Sequence, residues 1–357
     1  MTLTDATRSY ERWLGAQTEL VRRDLDAKHE AMGESPFTFL RATFYRWLEL
    51  WKDGPDDFLR RAPKVLAVGD LHVENFGTWR DAEGRLIWGI NDFDEAYPLP
   101  FTIDLVRLGA SVHLAVSEVR LSVRTRESCD SILEGYLAGM REGGRPFVLS
   151  ERNTWLWRLA VSDLRDPKRF WRDQEKKCSK PPAPPPRALS TFVRRLLPRD
   201  SGPVEVFHRV AGKGSLGRKR FLYRVDWRGG TTAREAKPLL PSACVWAAGK
   251  GSSRTWYETI VARAVRAQDP FACTAGPWVI RRLAPDCSKI ELAHLPSERD
   301  ESKLLYAMGF ETANVHLGTP GARASVLAFL RRAPADWLHG ASRAFADAVR
   351  RDWRGWR

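Results

Sequence analysis

Asp70, Asn75, Asp92 and Asp94 are the residues whose types and spacing first suggest chemistry. Asp70 and Asn75 stand five positions apart in Gly69-Asp70-Leu71-His72-Val73-Glu74-Asn75-Phe76-Gly77, and Ile90-Asn91-Asp92-Phe93-Asp94-Glu95 closes the block. Phosphoryl transfer needs a carboxylate facing an acceptor hydroxyl, with an amide and a second carboxylate on Mg2+. Catalysis there is positioning plus neutralisation of charge. Hard oxygen ligands of this kind suit Mg2+. Asp70 takes the first role, Asn75 and Asp92 the second, with Asp94 as a further metal ligand. His72 is a packing or supporting residue. An Asp-x-His opening also begins two-metal phosphoesterase sites, but that chemistry needs further His and Asn ligands. His29, His113, His208, His294 and His339 occur in no Gly-Asn-His context.

A second grouping, Gly212-Lys213-Gly214-Ser215-Leu216-Gly217, fits the pattern G-x-G-x-x-G. In a dinucleotide-binding unit a helix must follow that pattern. Here strands are expected on both sides, which fits a glycine-rich hairpin folded over nucleotide phosphates. Gly212, Gly214, Ser215 and Gly217 are then nucleotide-binding positions. The next strand carries Lys237, placed to neutralise the α/β-phosphates, and the following helix carries Glu258 as the lysine's partner.

These residues need elements to position them. Apolar residues at helical spacing predict helices over 4–30 and 37–51. Short apolar runs predict strands at Val65–Val68 and Leu86–Ile90. Helical stripes return over 105–119 and 132–140. Lys180-Pro181-Pro182-Ala183-Pro184-Pro185-Pro186-Arg187 cannot form helix or central strand and reads as an extended connector. Beyond it, after a short helix, strands are expected at Val204–Val210, Phe221–Trp227 and Thr231–Lys237. A helix over 255–267, a strand at Trp278–Leu283 and helices over 303–316 and 324–353 complete the chain.

Ser35–Arg41, Gly69–Gly77, Asn91–Ala96, Asp104–Leu108 and Gly212–Gly217 together resemble the bacterial family known as domain of unknown function 2252. The Gly69–Ala96 block is also similar to the catalytic segment of aminoglycoside and choline kinase-like phosphotransferases. By position, that likeness implies a catalytic role for Asp70, metal roles for Asn75 and Asp92, and a later buried aspartate at Asp104, which braces the catalytic loop. Two departures stand out. Gly69 occupies the place of the usual histidine, and the glycine loop and lysine follow the catalytic loop instead of preceding it. The implied architecture is α+β, a protein-kinase-like bilobal fold in circularly permuted order. In it, residues 1–178 make the catalytic half of the large helical lobe and 179–199 the Pro-rich connector with its short helix. Residues 200–290 make the small β-rich nucleotide-binding lobe, and 291–357 return as helices to the large lobe. Arg41 joins the site as a contact to substrate or phosphate.

Composition sets limits on this picture. In 357 residues, 43% are apolar and 29% charged, which suits a globular chain with a sizeable core. No run approaches the roughly 18 apolar residues of a membrane span. The N-terminus lacks the basic-then-apolar pattern of a signal peptide. Five widely spaced cysteines without a C-x-x-C pair read as free thiols in a cytoplasmic protein. The expected activity is ATP- and Mg2+-dependent transfer of a phosphoryl group to an unidentified small-molecule or protein acceptor. Nucleotidyl transfer from the same pocket and a non-catalytic nucleotide-binding regulator are alternatives. A nucleic-acid-binding module, suggested by the net charge of +14, is a third and less favoured one, because arginine is spread along the whole chain.

Overall fold

Polar caps and apolar stripes set the first helices. Thr2 Oγ1 accepts from the Asp5 amide to start α1 (Leu3–Gln17), which buries Tyr10 and Leu14. α2 (Arg22–Glu34) follows, then α3 (Pro36–Ala42), capped by Ser35 with Pro36 at its first position. α4 (Phe44–Asp53) and α5 (Asp57–Arg60) complete the opening run. In the computed structural model, residues 1–54, 56–119, 123–160, 166–249, 253–287 and 301–357 are described. His294, and the first part of the expected 291–357 return, lie outside them.

The single helix expected over 4–30 is two helices. The chain is extended at Thr18 and Val21. There the Val21 amide donates to the Gly217 carbonyl at 2.8 Å, and Leu20 bridges to Arg218. Backbone groups that a continuous helix would have used internally instead hold the glycine-rich segment. The expected 37–51 helix also breaks, at Thr43, whose φ of −128° is non-helical.

Two small ladders follow. β1 (Lys64–Ala67) pairs antiparallel with β4 (Tyr97–Pro100), while β2 (Phe76–Arg80) pairs with β3 (Leu86–Ile90) in the register Phe76↔Ile90. α6 (Thr102–Val119) and α7 (Thr125–Glu142) come next, and β5 (Phe147–Val148) adds to β3. α8 (Thr154–Ala160) and α9 (Pro167–Lys176) lead to a six-stranded antiparallel sheet. Its strands are β6 (Cys178–Ser179), β7 (Glu205–Arg209), β8 (Phe221–Trp227), β9 (Gly230–Pro238), β10 (Cys273–Thr274) and β11 (Trp278–Leu283), in the order β10-β11-β9-β8-β7-β6. α10 (Arg187–Arg195) precedes β7, and α11 (Ala243–Ala248) and α12 (Tyr257–Arg263) lie between β9 and β10. α13 (Glu301–His316), α14 (Ala322–Leu330) and α15 (Trp337–Trp356) end the chain. The last two were expected as one helix. Pro334, in the break between them, cannot donate to a helical ladder.

The sheet is covered on both faces, as period-two alternation requires. Phe221, Tyr223 and Val225 of β8 pack against Leu189 and Val193 of α10. Leu222, on the opposite face, packs with Phe170 of α9. α9 and β6 therefore belong with the sheet, so the expected boundary at 178 falls too late. Leu239, Leu240, Tyr257 and Ile260 instead join the large helical core, together with Trp47, Phe101, Phe310 and Phe345. Residues 239–249 and 253–264 thus belong with the helical body and not with the expected β-rich lobe. Chain ends share this core: the Trp47 and Phe345 rings lie 4.6 Å apart. The architecture is α+β, and no helix among the described residues is long and apolar enough to cross a membrane.

Candidate functional site

β1 runs into a tight turn at Gly69, whose φ is +84°. A Cβ there would lie 2.5 Å from the Glu95 carbonyl oxygen, so glycine is required for the turn that presents Asp70. The turn is braced from below. Asp104, fully buried on α6, accepts from the Val68 amide at 2.7 Å and the Gly69 amide at 2.9 Å. His316 Nε2 lies 3.0 Å from the same carboxylate, and Tyr136 Oη is 2.9 Å from His316 Nδ1. Asp104 thus holds the loop and does not face the cleft.

Asp70 opens onto the cleft and is engaged from behind by Arg107, one turn beyond Asp104 on α6. Arg107 Nε donates to Asp70 Oδ1 at 3.0 Å, and the second guanidinium nitrogen bonds the same oxygen and the Leu40 carbonyl. The guanidinium is fully buried and stacks over the Phe44 and Trp47 rings at 5.1 and 4.9 Å. Burial pushes the Asp70 carboxyl up to about 6, against the pull of Arg107 and with the help of Glu95 and Asp92.

The open end of the β2–β3 hairpin brings the other candidate residues together. Asn75 precedes β2 and Asn91 follows β3, and the Asn91 amide donates to the Asn75 carbonyl at 3.1 Å. Asn75 is buried, and its side-chain oxygen has no hydrogen-bond partner. Asp92 and Asp94 follow at once, and Lys237 of β9 enters between them. Lys237 Nζ lies 2.9 Å from Asp92 Oδ1 and 2.8 Å from Asp94 Oδ1.

The glycine-rich segment connects β7 to β8 and turns through a short 3-10 helix, Lys213–Ser215. Gly212 and Gly217 have φ values of +82° and +90°. Gly214 packs so closely on Arg41 and Asp70 that a Cβ would lie 2.9 Å from the Arg41 carbonyl and 3.5 Å from Asp70 Oδ2. Ser215 Oγ accepts from Arg220 at 2.6 Å. Arg220 in turn bonds the fully buried Glu235, which Arg209 and Arg281 also engage. Those three guanidinium groups hold the Glu235 carboxyl well below the usual carboxylate range despite its burial.

His72 is buried beside the site; its Nδ1 accepts from the Glu74 amide at 3.2 Å and its ring meets Phe37 edge-on. Arg41 pairs with Glu74 at 2.6 Å and lies over the Phe37 ring. A single cleft is lined by Arg41, Asp70, His72, Asn75, Asp92 and Asp94, with Gly212–Ser215 over it.

Glu258 is the exception and corrects the sequence reading. It is exposed and accepts from Thr274 Oγ1, not from Lys237. On the short α12, Tyr257 and Ile260 form the buried face, which turns Glu258 outward. The charge on Lys237 is met by the two hairpin aspartates instead. Arg107 was missed by sequence reasoning. The available signal was its place three residues after Asp104, on the same helical face. His113, Cys129 and His339 form a further grouping, with ligand atoms all within 4.8 Å of one another, that the cysteine spacing gives no sign of. The five cysteines are free thiols.

Residues 20–176 match the profile of a family described as "Uncharacterized protein conserved in bacteria (DUF2252)", which supports the likeness to a bacterial family of unknown function. That stretch includes Asp70, Asn75, Asp92, Asp94 and Arg107, and ends before β6. No curated protein and no solved structure matches the chain.

Proposed function

We propose that this chain is an ATP- and Mg2+-dependent phosphotransferase built as a permuted, kinase-like pair of lobes. The observation that carries the reading is the convergence of Lys237 on Asp92 and Asp94, two carboxylates that line one cleft with Asp70 and Gly212–Ser215. Two carboxylates and the unpartnered Asn75 amide oxygen form an all-oxygen donor set, which fits a hard divalent cation. Asn75, Asp92 and Asp94 would hold that ion, which would supply neutralisation of the charge developing on the transferred group.

The chain's own residues supply the rest. Lys237, held at the cleft carboxylates Asp92 and Asp94, would supply an ammonium to neutralise the α/β-phosphates. Backbone amides of Gly212–Ser215 cover the phosphates, with the positive φ values of Gly212 and Gly217 setting the turn. Asp70 accepts the acceptor hydroxyl's proton. Arg107 keeps Asp70 oriented, and burial keeps its affinity for a proton high enough for a base working near neutrality.

Intact-mass analysis after incubation with Mg-ATP and a metabolite or protein extract tests the reading. A product heavier by one phosphate is the expected result. A gain of one nucleotide would replace phosphoryl with nucleotidyl transfer, and no gain together with absent Mg-ATP binding would overturn the proposal.

A further inference from the structure

The wall of the cleft formed by the N-terminal helices holds positive charge that is only partly balanced. Lys28, on α2, is 2% exposed, and its side chain lies against two aromatic rings, with Nζ 5.8 Å from the Tyr10 centroid and 5.7 Å from that of Tyr45. Its ammonium has no hydrogen-bond or ion-pair partner among the described residues. Beside it stands Arg218, held at the end of the glycine-rich segment by the Leu20 bridge. Arg218 reaches the Tyr10 hydroxyl at 3.3 Å and has only a long contact, 3.9 Å, to Glu95; its buried Nε has no partner. Arg41 Nε, also on this cleft, is likewise without a partner.

A buried ammonium without a counter-ion is costly, and proteins normally pair such a group or discard its charge. Burial, reinforced by Arg218, pushes Lys28 down to about 8, so it remains largely charged at neutral pH. The carboxylates that act on Lys28 are already engaged, Glu11 with His29 at 2.5 Å, Glu95 with the Ala243 amide at 2.7 Å and Asp70 with Arg107. The lysine is thus held charged and facing the same cleft as Asp70. It stands apart from Lys237, which is satisfied by Asp92 and Asp94.

We infer that Lys28 and Arg218 form an oxyanion subsite that recognises a phosphate or carboxylate group on the acceptor. This rests on the phosphotransferase reading for the word acceptor, but not for the anion site itself. With the acceptor's hydroxyl at Asp70 and its anionic group at Lys28, the substrate class is a hydroxylated small molecule that already carries a phosphate or carboxylate. Tyr10 contributes its hydroxyl, and the Tyr10 and Tyr45 rings keep water from screening the ammonium.

The test uses the full chain with inorganic phosphate and acetate as probes at constant ionic strength, read by thermal unfolding and calorimetry. Phosphate, acetate or both should raise the melting temperature of the wild type, and the stronger probe identifies the anionic group. Lys28→Met should fold and melt higher than wild type without any anion, because an unpaired buried charge is replaced by an apolar chain of similar length. Its anion affinity should fall about tenfold or more. Lys28→Arg should retain much of that affinity, and Lys237→Met should retain nearly all of it. Equal anion responses in wild type and Lys28→Met, or none in the wild type, would overturn the subsite. So would a loss of Mg-ATP affinity in Lys28→Met matching that of Lys237→Met, which would move Lys28 into the nucleotide site. Wild-type protein that binds phosphate through Lys28 but shows no Mg-ATP binding would refute the phosphotransferase reading and leave the anion site standing.

Discussion

Lys237 and Asp92, 145 residues apart along the chain, meet with nitrogen and oxygen 2.9 Å apart. The lysine comes from the third long strand of the sheet, and the aspartate from the end of a hairpin in the helical body. Asp94 is as close, at 2.8 Å, so one ammonium neutralises two carboxylates in the state described here. Removing either side of this contact has a defined consequence.

Asp92→Ala removes one carboxylate from the proposed metal set and leaves Lys237 with Asp94 alone. Calorimetry should show Mg-ATP affinity lost while ATP without metal is little affected. Unchanged Mg-ATP affinity would sink the metal assignment.

Asp70→Asn should leave Mg-ATP binding intact and lower transfer by roughly 10²–10⁴, the range for losing a general base. The pH profile is a second measure. Asp70 is raised to about 6, so the wild-type rate should fall as pH drops through that value and the base is protonated. The linked stability runs the other way. The folded chain holds this proton more tightly than the unfolded chain. Its contribution is therefore full below the ordinary aspartate value of 3.8 and is lost as pH rises through about 6. Denaturation midpoints compared between Asp70→Asn and wild type across that window should show the slope disappear.

Arg107→Met strips the buried counter-charge from Asp70 while keeping an apolar chain against Phe44 and Trp47. Breaking such a pair costs about 3–5 kcal/mol. The acid limb of the rate profile should also move to higher pH, because Arg107 is the group pulling the Asp70 carboxyl down. A profile that stays in place would show that Arg107 does not orient or tune the base.

Glu258→Ala should leave Mg-ATP affinity within about twofold of wild type, since charge pairs exposed to solvent contribute little. A large loss would mean that a further closed state brings Glu258 to Lys237, contrary to its present bond with Thr274.

Gly214→Ala tests the seat of the glycine-rich segment. The added methyl meets the Arg41 carbonyl at 2.9 Å, a backbone atom that cannot swing aside. The segment must lift off Asp70, and transfer should drop on the order of 10²-fold, as a displacement near 1 Å can cause. Circular dichroism should remain unchanged.

Local patterns in the sequence determined much of this protein. β3, β8 and β11 begin and end where their apolar runs do, because a buried strand's side chains declare it within five to seven residues. The tight turn at Gly69, the hairpin beyond it and the brace at Asp104 follow from residues within thirty-five positions of one another. Partner choice among charges was decided only by the tertiary structure. Whether Lys237 meets Glu258 or the two hairpin aspartates depends on which face of a seven-residue helix is buried, and Tyr257 and Ile260 settle that through the large core. The break between α1 and α2 is likewise invisible to periodicity, since it is made by hydrogen bonds to Gly217 and Arg218, nearly two hundred residues away. Lys28 shows the same limit. Its place in a helical pattern says only that it is helical, and its burial without a counter-ion arises from the two tyrosines and the arginine that long-range packing brings around it.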